Sequence, residues 1–299
     1  MENFGSWSVL TTDFLFVLYI ALNGVTLSSI LHLCNGKWRF PVRHLACSMS
    51  VLFPVAGILL LVLLAKGGST FAWMAEGEAH NAENHLNAWH NYAFLAAREI
   101  VGFLFIWGLY QLFVKYQALS EVDQSYAAQR RFRNIALLIP VGYVLYGTMV
   151  AWDFEMTQMA GWHSASYGFY HFQSNFHMFL GFFAVMLFFL SRSGKLTKEL
   201  PAHILNYLAQ FMLGMTILWT YLYFTQYLIM WYGRLPEDMT RYFHMMNNDL
   251  SPLWWTFLVL KFIIPFCTLA ITPNRHNPPV IAFVGASIVI GTWICPPVM

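Results

Sequence analysis

The chain has 299 residues, of which 58% are hydrophobic, 18% aromatic and 10% charged, and its net charge at pH 7 is +2. Soluble domains carry about 25% charged residues, so this composition excludes that class and indicates an integral membrane protein. The small net charge, with no basic run, also argues against binding to nucleic acid.

Windows of about 20 residues predict eight membrane-spanning helices, joined by loops too short to hold a soluble domain. Because helices satisfy their own backbone hydrogen bonds in lipid, we predict an all-α integral membrane protein with a single polytopic domain over residues 1–299. The predicted spans are residues 11–33, 45–65, 92–114, 134–152, 166–190, 205–231, 252–272 and 279–297.

The lysine and arginine residues predict how these spans are oriented. Eleven of the 16 lie in the loops after odd-numbered spans, whereas three, Lys66, Arg234 and Arg241, lie in the opposite loops. The positive-inside rule therefore places both termini on the outer side of the membrane.

The predicted outer face collects acidic and histidine side chains. Two interpretations remain open, a solvated acidic rim or a surface for proton release or for docking of an extracytoplasmic partner. These residues are Glu76, Glu78, Glu83, Asp153, Glu155, Glu237, Asp238 and Asp249, with His80, His85, His90, His163 and His244.

Charged side chains inside predicted spans are costly in lipid, and each is therefore a candidate site residue. Arg98 and Glu99 lie about two turns into span three, and Lys261 lies near the middle of span seven. The structural alternative is that Arg98 joins two helices through a carboxylate such as Asp153.

Span five carries a polar stripe on one helical face. Ser166, Tyr170, Gln173 and His177 share this face, and the stripe extends about 16 Å from the outer side, roughly half the hydrocarbon thickness. It suits a quinone headgroup pocket or a proton half-channel, because His177 can change its charge near neutral pH. Interhelical hydrogen bonding that fastens the bundle is the alternative.

The histidines do not indicate a haem or a metal site. A bis-histidine haem needs ligands on facing helices, whereas His171 and His177 lie on one helix about 120° apart. The cluster of His80, His85 and His90 lacks the spacing of a helical metal-binding pair. We therefore expect no haem, no metal and no tightly bound cofactor.

Span six, followed by its loop, resembles a known family. The stretch WTYLYFTQYLIMWYGRLPEDMTRY at 219–242 is similar to a signature of NrfD/polysulfide-reductase-type membrane subunits, in particular the second such subunit of bacterial alternative complex III. That complex is a quinol:cytochrome c oxidoreductase. The matching residues are Trp219, Tyr221, Phe224, Gln226, Trp231, Tyr232, Leu235, Pro236 and Glu237, with Asp238 in place of a second glutamate.

Weaker matches extend the resemblance over nearly the whole chain. Family members are usually longer, with additional spans, and Met159, Ala160 and Gly161 stand here where the family has an acidic residue and Pro-His. The further matching residues are His32, Trp38, Arg43, Asn91, Arg98, Asp153, Trp162, Ser164 and Gly168.

The resemblance implies NrfD-like helical bundles, periplasmic termini and a place in the bacterial inner membrane. It implies partners in a respiratory complex, namely a second NrfD-like membrane subunit, a periplasmic iron–sulfur protein and c-type cytochromes, with lipids around them. Quinol is the implied substrate, and its oxidation or the coupled proton translocation is the implied role.

Intramembrane polarity and motif position together select the residues that would line a quinone cavity or a proton path. A structural membrane anchor for the periplasmic subunits and an independent proton or ion transporter are the alternative functions. The candidate residues are Arg98, Glu99, Asp153, His163, Tyr170, Gln173, His177, Gln226, Glu237, Asp238 and Lys261.

Overall fold

In a computed structural model, the regular elements of the described part of the chain are all helices, which confirms the predicted all-α fold there. The described residues are 2–75, 89, 91–158, 162, 164–194, 201–233, 239, 242–243, 246–247 and 251–294.

The α-helices are numbered here in chain order. They are α1 (Glu2–Leu33), α2 (Arg39–Ser48), α3 (Phe53–Ala65), α4 (Gly67–Thr70), α5 (Ala72–Ala75), α6 (Tyr92–Val122), α7 (Tyr126–Phe154), α8 (Tyr167–Arg192), α9 (Ala202–Tyr232), α10 (Ser251–Leu258), α11 (Ile264–Leu269) and α12 (Pro278–Ile294). Short 3-10 turns occupy Met49–Leu52, Met156–Gln158 and Thr272–His276, and a π-helical turn at Val259–Ile263 joins α10 to α11.

Six helical segments in the described residues are long and apolar enough to cross a membrane, which gives the chain the character of a multi-pass membrane protein. The two other predicted spans remain predictions. Helix α9 has 31 residues, but its Thr, Gln, Asn and His side chains lower its mean hydropathy. Helix α12 is apolar, but its 17 residues extend about 25 Å, slightly less than the hydrocarbon thickness. The six segments are Trp7–Leu33, Arg39–Ala65, Tyr92–Val122, Tyr126–Phe154, Tyr167–Arg192 and Ser251–Leu269.

The chain forms two compact units, unit 1 up to Gly168 and unit 2 from Phe169. In unit 1, α1 is the central helix. In its most apolar stretch of 18 residues 83% of the residues are buried, whereas in that of α6 only 22% are buried. Helix α1 packs against α2, α3 and α7, while α6 and α7 expose large apolar side chains such as Val101, Phe105 and Leu145. Such a surface suits lipid better than water.

Arg39 and Arg43, predicted in a loop, lie on the first turns of α2.

Pro140 lies inside α7 and has no N–H to donate to the carbonyl of Ala136, four residues earlier. The Ser29 hydroxyl of α1 donates to this carbonyl at 2.7 Å, and Ser29 is fully buried. A side chain from the neighbouring helix thus replaces the missing backbone donor, as apolar surroundings require.

In unit 2, α8 and α12 approach closely at two glycines. A Cβ built on Gly181 would lie 2.7 Å from the Gly285 carbonyl oxygen, and one on Gly285 would lie 2.6 Å from that of Gly181. Small residues allow such contact between helix backbones in membranes.

The π-helical turn contains Lys261 and is followed at once by Pro265. Pro265 cannot donate to the carbonyl of Lys261, so regular α-helical hydrogen bonding is interrupted at this position. The Ser287 hydroxyl of α12 donates to the neighbouring Leu260 carbonyl at 2.6 Å, which satisfies part of the distorted backbone.

We expect Ser29→Ala to lower the free energy of unfolding by about 1–2 kcal/mol, because the buried Ala136 carbonyl loses its donor. In a Pro140→Ala background the residue at 140 supplies its own N–H, so the same substitution should cost much less. Unfolding of the four proteins in mild detergent measures this coupling, and equal losses in both backgrounds would contradict it.

Candidate functional site

Unit 1 contains a buried ion pair between α6 and α7. The guanidinium group of Arg98 donates from Nε to Oδ2 of Asp153 at 2.8 Å and from a terminal nitrogen to Oδ1 at 2.5 Å. The two side chains are 8% and 0% exposed. Of the alternatives for Arg98, the link between two helices is therefore the contact observed, and a buried pair of this kind is costly to break.

Trp89, just before α6, completes the surroundings of this pair. Its indole N–H donates to Oδ1 of Asp153 at 3.0 Å, and its carbonyl accepts from Arg98 at 2.8 Å. The guanidinium carbon lies 3.9 Å from the Trp89 ring centroid and 5.0 Å from that of Phe94. Aromatic faces thus shield a cation that already has a carboxylate partner.

Glu99, next to this pair on α6, is fully buried. Its carboxyl group interacts electrostatically with Asp153 and Arg98. Neither carboxyl oxygen makes a hydrogen bond of normal geometry with a described residue. The protein therefore holds two buried carboxyl groups near one guanidinium group.

A row of buried hydroxyl and amide side chains extends from Glu99 between α1, α6 and α7. Tyr146 interacts electrostatically with Glu99 and with Tyr19, and the rings of Tyr19 and Tyr143 are 6.0 Å apart. Tyr143 in turn interacts with Asn23 and Tyr110, and the hydroxyls of Tyr110 and Thr26 are 2.8 Å apart. We call these residues the unit 1 polar row, which consists of Glu99, Tyr146, Tyr19, Tyr143, Asn23, Tyr110 and Thr26.

The length of the unit 1 polar row can be estimated from the two of its residues that lie on α6. From Glu99 to Tyr110 the helix rises about 16 Å, roughly half the hydrocarbon thickness. The row therefore covers about half the hydrocarbon thickness, and within it the Tyr146 hydroxyl makes no hydrogen bond to a described residue.

Unit 2 holds the second cluster of candidates, centred on His177 of α8. The Nε2 atom of His177 lies 3.0 Å from the Thr216 hydroxyl, which also donates to the Met212 carbonyl at 2.9 Å. Since Thr216 has one proton to donate, we infer that Nε2 of His177 donates to Thr216. The Nδ1 atom of a neutral ring is then an acceptor, and it is buried without a partner among the described residues.

Gln173 lies one turn before His177, and its side chain is likewise hydrogen-bonded at one end only. Its amide nitrogen donates to the Met215 carbonyl of α9 at 2.5 Å. Its carbonyl oxygen Oε1 is buried and has no partner in the described part of the chain. Both side chains thus fasten α8 to α9 with one end and leave an acceptor atom free at the other.

Lys261 is also fully buried in unit 2. Its ammonium group donates to the Ser174 hydroxyl at 2.5 Å, lies 5.3 Å from the Trp219 ring centroid and interacts electrostatically with His177. The π-helical turn thus places a cation close to the His177 cluster.

Aromatic side chains form one side of this cluster. The rings of Trp219 and Tyr223 stack with centroids 5.2 Å apart, and Tyr170 lies 6.4 Å and 6.1 Å from them. Phe257 meets Trp219 edge to face at 5.2 Å. The predicted site residue Tyr170 therefore belongs to the same cluster as His177 and Lys261.

Other polar residues of α9 differ in role. Thr216 and Thr220 each donate to a carbonyl four residues earlier, so their presence in an apolar helix is explained locally. Gln226 is 7% exposed, and its amide nitrogen is buried without a partner among the described residues. Gln226 thus remains a candidate for meeting a polar group outside this chain.

Three predicted site residues, His163, Glu237 and Asp238, lie outside the described residues. Several contributors had not been predicted, chiefly Trp89, Ser174 and the tyrosines of the unit 1 polar row. The spacing of Tyr143 and Tyr146 in a predicted span is the signal that could have identified that row, because residues three apart share a helical face.

Among the described residues, no three His, Cys, Asp or Glu side chains come together in a group that could hold a metal ion. In comparisons with known proteins, no family model matches the chain. The search of curated proteins finds no significant match either.

We expect Arg98→Leu to destabilise the protein by about 3–5 kcal/mol, because Asp153 is then left charged and buried without its partner. The double variant Arg98→Leu/Asp153→Leu should recover much of this loss, since it removes both charges. Detergent-solution unfolding of the single and double variants tests this, and a double variant no more stable than the singles would contradict it.

Proposed function

We propose that the chain is a membrane subunit, without a tightly bound cofactor, of a respiratory complex that resembles alternative complex III. In this role it contributes to quinol oxidation, to the coupled movement of protons, or to both. The observation that carries the proposal is that the Glu99 carboxyl oxygens and Nδ1 of His177 are buried without a hydrogen-bond partner in the described part of the chain. Such groups are expensive in a membrane and are typically retained for function.

The proposal also includes a number of membrane spans and an orientation, both of which go beyond the six apolar segments. It has eight spans, with α9 and α12 crossing as well, and places both termini on the periplasmic side of a bacterial inner membrane. The excess of Lys and Arg in the loops after odd-numbered spans supports this orientation. The length of α9, 31 residues, is sufficient for a span despite its polar side chains.

The proton-transfer part rests on unit 1. Quinol loses two protons with its two electrons, so titratable groups are needed to carry protons away. In the proposed orientation, Glu99 and Asp153 lie toward the periplasmic end of unit 1, and the unit 1 polar row extends from them to about mid-membrane. Glu99 is the proposed relay carboxyl, and the Arg98 guanidinium balances its charge and that of Asp153.

The quinol-oxidation part rests on unit 2. A quinol presents two hydroxyl donors, and the free acceptor atoms here are Nδ1 of His177 and Oε1 of Gln173. His177 is the proposed base for a quinol proton, with its ring held by Thr216. Lys261 would stabilise the negative charge that develops on a deprotonated quinol oxygen. Electrons pass to cofactors of the partner subunits, which the resemblance implies are iron–sulfur clusters and c-type haems.

Glu99→Gln tests the proton-transfer part. Glutamine keeps the size of the side chain but carries no titratable proton, so we expect quinol-driven proton release by the intact complex to fall about a hundredfold. The measurement uses the purified complex in vesicles, with a quinol analogue and cytochrome c.

The control for this experiment is Asp123→Asn. Asp123 is exposed beyond the end of α6 and accepts from the backbone N–H of Ser125 at 2.8 Å, which lowers the pKa of its carboxyl group. This variant should leave turnover unchanged. If Glu99→Gln also leaves proton release unchanged, the structural-anchor interpretation is favoured.

His177→Gln tests the quinol-oxidation part. Glutamine keeps a donor for Thr216 but has no basic ring nitrogen at the position of Nδ1, so the amount of quinone retained by the purified complex should fall about tenfold, as measured by extraction. His171→Gln changes another buried histidine of α8 and serves as the control. Unchanged retention in His177→Gln would reject a quinone site at this cluster, whereas proton flux through the chain alone in vesicles would favour a transporter.

A further inference from the structure

Unit 1 has a groove of about 730 Å³ that is separate from the unit 1 polar row. One wall comes from α2, the 3-10 turn and the start of α3, and the other comes from α6. The lining residues that bear on its role are His44, Ser48, Val51, Trp107, Gln111 and Gln117.

The groove opens onto the surface of unit 1. Val51, in its wall, is 72% exposed, and Ser48 and Gln111 are also exposed. Because this surface belongs to apolar, span-length helices, the groove faces lipid in a membrane. An occupant therefore enters from the bilayer rather than from water.

The floor of the groove contains an amide with unused donors. The Gln117 carbonyl accepts from the Ser28 hydroxyl at 2.8 Å and from the Cys47 thiol at 3.5 Å. Gln117 is 2% exposed, and its amide N–H groups make no hydrogen bond to a described residue. Because Gln117 lines the groove, its amide N–H groups can donate to an acceptor that enters it.

Gln111 adds a second amide to the same groove, two turns from Gln117 on α6. It is exposed in an apolar, span-length helix, where hydrocarbon offers no hydrogen-bond partner. The two amides thus line a space that can hold ester or phosphate oxygens, while the Ser48 hydroxyl donates to the Leu45 carbonyl at 2.7 Å.

Polarity changes along the groove in a consistent direction. Val51 and Trp107 lie at the end nearer the membrane centre, whereas His44 and Gln117 lie toward the opposite end. From Trp107 to Gln117, α6 rises about 15 Å. A molecule with an apolar tail and a polar head fits this gradient in one orientation.

The polar end of the groove has a positive balance of charge. Arg43 and His44 both contact Glu121, each at 2.9 Å. Arg39 on α2 and Lys115 on α6 are nearby in the sequence and add two further positive charges. Asp123 lies two residues beyond Glu121, so Arg39, Arg43 and Lys115 exceed these two carboxylates by one positive charge, which favours an anionic head.

We propose that this groove binds an anionic glycerophospholipid of the cytoplasmic leaflet. Its acyl chain lies along Val51 and Trp107, its ester oxygens accept from Gln111 and Gln117, and its phosphate lies near His44. The assignment of the leaflet rests on the proposed orientation, whereas the site itself does not depend on the proposed respiratory function.

The test uses the full-length chain, purified in detergent and freed of lipid. Binding of dioleoylphosphatidylglycerol and of dioleoylphosphatidylcholine is counted by native mass spectrometry during titration. We expect the anionic lipid to bind about fivefold more tightly than the zwitterionic one, as expected for attraction by nearby Arg or Lys. Equal affinities would overturn the assignment of an anionic head.

Two pairs of variants locate the site. Ala118→Trp fills the groove, and Leu119→Trp places the same side chain at the next residue, which does not line it. Gln111→Leu removes an amide from the groove, and Gln210→Leu removes an exposed amide that bonds to Asn206 in unit 2. The first member of each pair should weaken binding about fivefold or more, and the second should not.

Equal effects within each pair would overturn the proposal, as would an isoprenoid quinone extracted in place of phospholipid from the wild type. Both groove positions are exposed, so the variants should fold normally, and thermal unfolding in detergent checks this. Loss of lipid binding with unchanged quinol turnover would separate this site from the proposed respiratory role.

Discussion

Hydrocarbon offers no hydrogen-bond partner, so each polar group of a span-length helix has to find its partner inside the protein. Much of this structure follows from that requirement. Ser29 donates to a carbonyl that Pro140 leaves without a donor, and Thr216 and Thr220 donate to their own helix. Such contacts fix the rotation and depth of each helix against its neighbours, because a shifted helix would break them.

Two of the places where buried polar atoms do not meet this requirement lie beside a buried cation. The carboxyl oxygens of Glu99 in unit 1, and acceptor atoms of Gln173 and His177 in unit 2, are buried without partners among the described residues. Local departures from good hydrogen bonding are expected where a protein binds or transfers something. In both places a cation is close, Arg98 in unit 1 and Lys261 in unit 2. Each cation can stabilise a negative charge that forms on these groups or on a bound molecule.

Hydropathy was sufficient to predict an all-α fold and the approximate positions of the long apolar helices, but not the short helices α4 and α5 or the start of α2. The predicted span at 205–231 falls within the helix α9 (Ala202–Tyr232), although that this helix crosses the membrane stays a prediction. The cost of burying charge correctly selected Arg98, Glu99 and Lys261 as buried or nearly buried side chains.

Apart from the pairing of Arg98 with Asp153, the partners across helices were not predicted from the sequence. The contact between Thr216 and His177 joins residues 39 positions apart, and that between Ser29 and Ala136 joins residues 107 apart. Trp89 precedes its helix, where periodicity carries no information, and so its place beside Arg98 was not predicted. Likewise, the π-helical turn depends on Pro265 together with a donor from Ser287 on another helix.

The π-helical turn at Val259–Ile263 determines in which direction the Lys261 side chain projects from its helix. An α-helix and a helix with one π turn differ in register by one residue, which corresponds to about 1.5 Å along the axis and 100° around it. Relaxation of the turn would therefore rotate the Lys261 ammonium group away from Ser174 without unfolding the helix. The side chain of Ser287 and the ring of Pro265 oppose this relaxation, so the position of the buried charge is set by backbone register as much as by side-chain rotamer.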